Sequence, residues 1–294
     1  MNTPNATSSG SFALGGDLQV HRLGFGAMRI TGPGIWGEPK DRNQAKRVLK
    51  RLLDLGVNFI DTADAYGPEV SENLIAEALH PYPTGLVIAT KGGLTRQGPN
   101  RWAPVGRAGY LCQCVEMSLR RLKVDCIDLY QLHRFDDQVP VEESLGELKK
   151  LQGEGKIRHI GISEVSVKDI ERAQKTVKVV SVQNKYNIGD RTHEDVLEYC
   201  GKHQLGFIPW FPMEAGKLNQ PGSRLEKAAK AHKASTAQLA LAWLLHHSPV
   251  TLPIPGTSSV PHLEENVAAA ELQLSDEEWK SLEAGIARTA GSGS

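Results

Sequence analysis

The sequence predicts an α/β fold, a (β/α)8 TIM barrel with an N-terminal β-hairpin and additional C-terminal helices. Three observations carry this. Eight short apolar runs alternate with stretches whose apolar residues recur at helical spacing. No change of composition marks a linker, so residues 12–288 read as a single barrel domain, with 1–11 and 289–294 as flexible termini. Finally, titratable side chains end successive runs, where a barrel carries its chemistry.

The elements follow in order. Phe12-Ala13-Leu14 and Leu18-Gln19-Val20, joined by Gly15-Gly16-Asp17, read as a hairpin able to plug the lower end of the barrel. Leu23 to Met28 is the first barrel strand. Asp41 and Gln44 form a capping-box pair, and Ala45, Val48, Leu49, Leu52 and Leu53 share one helical face behind them. Val57–Asp61 is the second strand; Val70, Leu74, Ile75, Ala78 and Leu79 make the next helical stripe. Leu86–Lys91 is the third strand, followed by a helix carrying Leu111, Val115, Leu119 and Leu122. Cys126–His133, a helix through Leu145, Leu148 and Leu151, and Arg158–Ser163 continue the alternation. Helix 167–176, strand 178–183, helix 193–203 and strand 205–211 add two more units. Ser235 with Gln238 caps a helix through Trp243, Thr251–Pro255 is the eighth strand, and helices near 261–270 and 276–287 close the chain.

Composition narrows the function. The 294 residues carry 34 basic and 34 acidic side chains, so no field gathers nucleic acid or an anionic membrane. A small-molecule partner is expected, and the sequence sets no oligomeric state. Cys112, Cys114, Cys126 and Cys200 lack the spacing of a disulfide framework and read as reduced thiols. Residues 1–11 lack the charged and apolar regions of a signal peptide, and no run approaches the roughly 18 apolar residues of a membrane span. A cytoplasmic location is expected. No metal site is expected, since His246 and His247 are adjacent and point apart on a helix.

Four side chains converge on the predicted mouth. Asp61 ends strand two, Tyr66 follows in its loop, Lys91 ends strand three and His133 ends strand four. Taken singly, three have a plainer reading, as turn former, packed ring or core histidine, while a lysine carried into a crowded mouth by five residues of an apolar strand is less easily dismissed. Asp64 stays in the turn-former class. Together, the four form a tetrad. A phenol with pKa about 10 is a poor acid at neutral pH, and a neighbouring ammonium lowers that pKa. Lys91 is expected to do this for Tyr66, with Asp61 holding the ammonium and His133 orienting a carbonyl oxygen. Such a site polarises and protonates a carbonyl but needs a hydride source, for which a nicotinamide cofactor is suited. Trp36 and Trp102, with Tyr130 nearby, are candidates for an aromatic substrate pocket, although Trp102 in "PNRWAP" equally suits a surface anchor in a flexible loop.

With the contexts "FIDTADAYG", "IATKGG" and "LYQLH", the tetrad resembles that of the aldo-keto reductases. The likeness spans about residues 12–288 and includes "GKIRHIGISEV", "VQNKYN" and "IPGTSSVPHLEEN". Within the family it is most similar to the bacterial branch of pyridoxal reductases and general aldehyde reductases. The resemblance implies a barrel that reduces aldehydes or ketones with NADPH, Tyr66 serving as proton donor. It further implies that Gly26, Ala27 and Met28 approach the cofactor, Ser163 and Gln183 bind the carboxamide, and Trp210 stacks on the nicotinamide. Gly256, Thr257 and Ser258 would wrap the adenosine phosphate, and Glu265 and Asn266 would hold the adenine. Two positions depart from the pattern: Glu164 replaces the usual Asn, and the loop 256–262 carries His262 but no Lys or Arg. NADH therefore stays open beside NADPH.

Other readings have their own signals. "GPGIWG", residues 32–37, matches a dinucleotide-binding glycine pattern, but Glu38-Pro39-Lys40-Asp41 separate it from the next helix, so it fails the strand-to-helix context. As a barrel loop, it would hang Trp36 over the mouth. Lys91 as a Schiff-base lysine of an aldolase, and a barrel that binds NADP(H) to sense redox state without turnover, are the alternative functions.

Overall fold

The structure, a computed structural model, describes residues 3–213 and 223–290. Strand β1 (Ser11–Leu14) and strand β2 (Leu18–His21) form the predicted hairpin. Seven strands then make one parallel sheet: β3 (Phe25–Gly26), β4 (Phe59–Asp61), β5 (Val87–Gly92), β8 (Ile127–Leu132), β9 (Ile157–Ser163), β10 (Val179–Gln183) and β11 (Gly206–Phe207). Spatial order follows chain order from β3 to β11. The helices between them are α1 (Arg42–Asp54), α2 (Val70–Leu79), α3 (Ala108–Leu122), α4 (Val141–Gly153), α5 (Val167–Gln174) and α6 (Glu194–His203). Residues 250–255 close the ring. Phe207 N donates to Val250 O and Leu252 N to Phe207 O on one side, while Gly24 N and Gly26 N donate to Pro253 O and Pro255 O on the other. Pro253 and Pro255 have no N–H to return, so this eighth member is strand-like without a full ladder.

Side-chain alternation explains the barrel's two ends. Along β4, β5 and β8 the inward positions read Phe59-Asp61, Val87-Ala89-Lys91 and Leu129-Gln131. Their lower residues share one apolar cluster with Leu14, Leu18 and Val20, so the hairpin plugs the bottom. Each such large side chain contributes on the order of 1.5–3 kcal/mol when fully buried. The outward positions face the helices: Ile60 and Ile88 pack with Leu49 and Leu74, and Tyr130 and Leu132 with Leu111 and Leu145.

Several expectations are corrected. Residues 5–10 are held rather than loose: Asn5 caps a 3-10 turn over Ala6–Ser9, Ala6 N donates to Leu55 O, and Leu23 N donates to Ser9 Oγ. Ala27 and Met28 belong to a 3-10 turn after β3, not to the strand. At α1 only half of the capping box forms, Asp41 accepting from Gln44 N. The segment around Trp102 is a second hairpin, β6 (Leu94–Gly98) with β7 (Arg101–Pro104), where a flexible loop was expected. Strand 205–211 shrinks to Gly206–Phe207. After the eighth strand-like segment come α9 (Val260–Ala268) and α10 (Asp276–Ala290); before it lie α7 (Arg224–Ala231), which the sequence reading lacked, and α8 (Thr236–His247) with its full Ser235/Gln238 capping box. The flexible tail expected from 289 begins inside α10, and residues 291–294 lie outside the described residues. No helix among the described residues is long and apolar enough to cross a membrane, and none of their His, Cys, Asp or Glu side chains cluster as a metal site.

Candidate active site

Where the inward rows turn from apolar to polar, they open into a cavity of about 1240 Å³. Lys91 is fully buried at the upper end of β5, in contact with Asp61 and Tyr66, which line the cavity. Its three N–H bonds have three acceptors: Asp61 Oδ2 at 2.6 Å, Thr62 O at 2.8 Å and Tyr66 Oη at 3.3 Å. Asp61 is saturated in turn. Its Oδ1 accepts from Gln131 Nε2 at 3.0 Å and Gln183 Nε2 at 2.9 Å. His133 packs edge-on to Tyr66, ring centroids 5.9 Å apart, and Trp102 completes the group at 6.4 Å from Tyr66 and 6.5 Å from His133.

Electrostatics sharpen this picture and correct one part of it. Burial works against the Lys91 ammonium, but Asp61 and the phenol outweigh it and raise the amine's pKa. Burial, joined by the Asp61 charge, raises the Tyr66 phenol against the opposing pull of Lys91 and Arg134, so its pKa moves up and not down as expected. His133 is pushed well below its ordinary value, first by burial and then by Lys91, Arg134 and Arg96. It is therefore a neutral imidazole, with a buried Nδ1 that has no partner.

The remaining expected residues divide. Gly26, Met28, Asp61, Tyr66, Trp102, His133, Gln183, Trp210, Gly256, Thr257 and Ser258 line the cavity. Gly26 and Gly256 have a steric reason to be glycine: a Cβ on Gly256 would meet Gly26 O at 2.5 Å, and one on Gly26 would meet Ile254 O at 2.6 Å. Ala27 is buried in the core beside α1 and α2, not in the cavity. Ser163 is buried, donating to Gln183 O at 2.8 Å. Glu164 stands away from the cavity because its backbone is left-handed (φ 56°) and its Oε1 accepts from Lys185 N and Trp210 Nε1. It anchors the indole edge. His262, Glu265 and Asn266 lie on α9 outside the cavity lining, His262 exposed and Asn266 buried. Trp36 is also outside: it is exposed, facing the Arg96 guanidinium at 5.5 Å, while Gly32, Pro33, Gly34 and Ile35 form the wall. The "GPGIWG" segment is thus an overhanging loop, with helix α1 starting only at Arg42. Tyr130 is buried behind the barrel wall, its hydroxyl close against Gly92.

Three residues escaped the sequence reading. Arg96 donates to the carbonyls of Gly34, Ile35, Ala65, Gly98 and Arg101 and stacks 3.6 Å from the Trp102 ring, tying the β6–β7 hairpin to the overhanging loop. Arg134 lines the cavity beside His133, and Arg29 lines it against Gly256. Asp64 sits in a turn, as expected, but it is also buried there, with Oδ1 unpartnered.

Comparison with known proteins accords with this geometry. Residues 22–287 match the model of the Aldo/keto reductase family. The chain is 54% identical over 279 residues to an uncharacterized oxidoreductase of Schizosaccharomyces pombe, covering 95% of this chain and 90% of that protein. It is 42% identical over 287 residues to pyridoxine 4-dehydrogenase of Escherichia coli, covering 96% and 99%. Among solved structures, an aldo-keto reductase from Klebsiella pneumoniae in complex with NADPH superposes with a TM-score of 0.79 at 28% identity, covering 93% of this chain and 94% of that one. This chain belongs to the aldo/keto reductase family of oxidoreductases.

Proposed function

We propose that the protein reduces aldehydes or ketones to alcohols, reversibly, with NADPH as reductant and Tyr66 as proton donor. The observation that carries this is the saturation of Lys91. Because the ammonium donates to the phenol oxygen, the phenol's own hydrogen is free to point elsewhere, and the cavity is where Tyr66 is open. A phenol held protonated by burial gives up its proton when alkoxide charge develops, and the ammonium then stabilises the phenolate left behind. Neutral His133 orients the carbonyl oxygen by donating its single N–H.

The residues present fit the cofactor. The Gly26–Gly256 contact leaves the cavity floor without side chains, and Gly256 to Ser258 lead into the N-terminus of α9, where no side chain caps the first turn. Arg29, its Cγ 3.4 Å from where a Gly256 Cβ would be, brings the cation that the 256–262 loop lacks and favours NADPH over NADH. Trp210, fixed by Glu164, offers a ring face, and Gln183, whose Nε2 serves Asp61, keeps Oε1 to accept from an amide. Bound there, NADPH supplies the hydride.

Glu164, His262, Glu265 and Asn266 stay in this reading as supports of the cofactor site, not as residues that line the cavity. The Schiff-base alternative lacks support, since an amine with every N–H engaged and a raised pKa has no lone pair for an imine. A test is a panel of aldehydes and ketones including pyridoxal, with NADPH and with NADH, on the wild type and Tyr66→Phe. The variant should bind NADPH normally and lose about 10²-fold or more in kcat. Undiminished turnover in Tyr66→Phe overturns the reading, and wild-type NADPH binding without carbonyl-dependent oxidation favours the redox-sensing alternative.

A further inference from the structure

Two of the cations at the reaction end of the cavity are already committed. Lys91 is paired with Asp61, and the Arg96 guanidinium is spread over five backbone carbonyls and the Trp102 face. Arg134 is different. It lines the cavity with Tyr66, Trp102 and His133, and only Nη1 is engaged, donating to His133 O at 2.6 Å and Ser163 Oγ at 3.0 Å. No carboxylate among the described residues pairs with it. Glu164 is near enough to attract it, but the Glu164 Oε1 serves Trp210 and Lys185. Nε and Nη2 are left over on a charged, planar, half-buried fork held in place by its own first nitrogen. A chain whose formal charge is +0 thus places beside its reactive phenol a cation that forms no ion pair among the described residues.

We propose that Arg134 recognises a carboxylate on the substrate, so that the preferred carbonyl compounds are oxo-acids. This rests on the reductase reading above. The guanidinium matches a carboxylate in shape, and a partly desolvated cation gains more from an anionic partner than from a neutral one. Arg134 acts on specificity: the proton still comes from Tyr66.

The test compares 3- and 4-formylbenzoate with their methyl esters, whose aldehydes are the more electrophilic, so that an acid preference runs against carbonyl electronics, on the wild type, Arg134→Met and Arg134→Lys. At least one acid should exceed its ester in kcat/KM by about 10- to 100-fold in the wild type. That ratio should collapse in Arg134→Met and survive in part in Arg134→Lys, which keeps the charge without the fork. No acid preference in either isomer, a preference that survives Arg134→Met, or an equal fall for acid and ester each overturns the proposal. The matching benzenedicarboxylates have no carbonyl to reduce, so titrating them against tryptophan fluorescence keeps the test independent of turnover. Binding that disappears in Arg134→Met supports the proposal even if no aldehyde is reduced, whereas absent wild-type binding or binding unchanged in the variant sinks it. Melting temperatures verify that both variants fold.

Discussion

Asp61 and Asp64 stand three residues apart at the end of one strand, both buried, yet they meet opposite surroundings. Asp61 points into the barrel and finds Lys91, Gln131 and Gln183, with both oxygens satisfied. Asp64 faces the outer layer, where Oδ1 has no partner and Glu72 is a second carboxylate close by. Glu72 takes the local cation for itself, pairing with Arg121 at 2.6 Å and accepting from Thr90 Oγ1 at 2.6 Å. Burial first, then Glu72, push the Asp64 carboxyl up to about 7. The lesson is that depth alone does not decide how well a buried acid is supported; the donors aimed at it do.

The comparison breaks most forcefully at Lys91. Lys91→Met should turn Asp61 into a buried anion with only two amide donors, costing about 3–5 kcal/mol in urea denaturation and abolishing turnover. A loss below about 1 kcal/mol would mean that the pair contributes far less than its geometry suggests.

Asp64→Asn probes the other acid. Its folded pKa, about 7, lies above the ordinary value of 3.8, so the native state holds a proton the unfolded chain releases. This contribution is fully present below about pH 4 and is lost as pH rises through 7, with a ceiling of about 4 kcal/mol. Asparagine removes the titration. The variant should therefore gain about 2–4 kcal/mol relative to wild type at pH 8 and little at pH 4, read from urea midpoints at both values. Parallel pH profiles for the two proteins would show that Asp64 does not titrate in this window.

Much of this contrast was legible in the sequence. Period-two alternation marks Phe59 and Asp61, or Ala89 and Lys91, as one inward row, and a polar residue ending such a row must surface at the mouth. What periodicity does not encode is the direction taken after a strand ends. Ile35 and Glu164 both adopt left-handed backbone (φ 56°), and around each the expectation fails: Trp36 lies outside the cavity wall and Glu164 turns to the indole of Trp210. Arg134 was hidden for a related reason, since its sequence neighbour His133 ends the row and nothing in the spacing says that the next side chain returns to the cavity. The β6–β7 hairpin was missed because Arg96, whose hydrogen bonds reach across it and to Ile35 and Ala65, acts over tertiary distance.

The finest test separates the two amides that hold Asp61. Gln131 is fully buried, gives Nε2 to Asp61 and leaves Oε1 without a partner, so its presence costs something as well as contributing. Gln131→Leu removes both the donor and the orphan in a similar volume. The two changes oppose each other, so stability should move by no more than about 1 kcal/mol. Turnover should respond more clearly: with Gln183 as its remaining amide donor, Asp61 is less fixed, Lys91 is less firmly placed against Tyr66, and kcat should fall by about 3- to 10-fold with NADPH affinity retained. A Gln131→Leu enzyme with wild-type kcat would show that Lys91 and Gln183 fix the carboxylate unaided, reducing the difference between the two aspartates to the lysine alone.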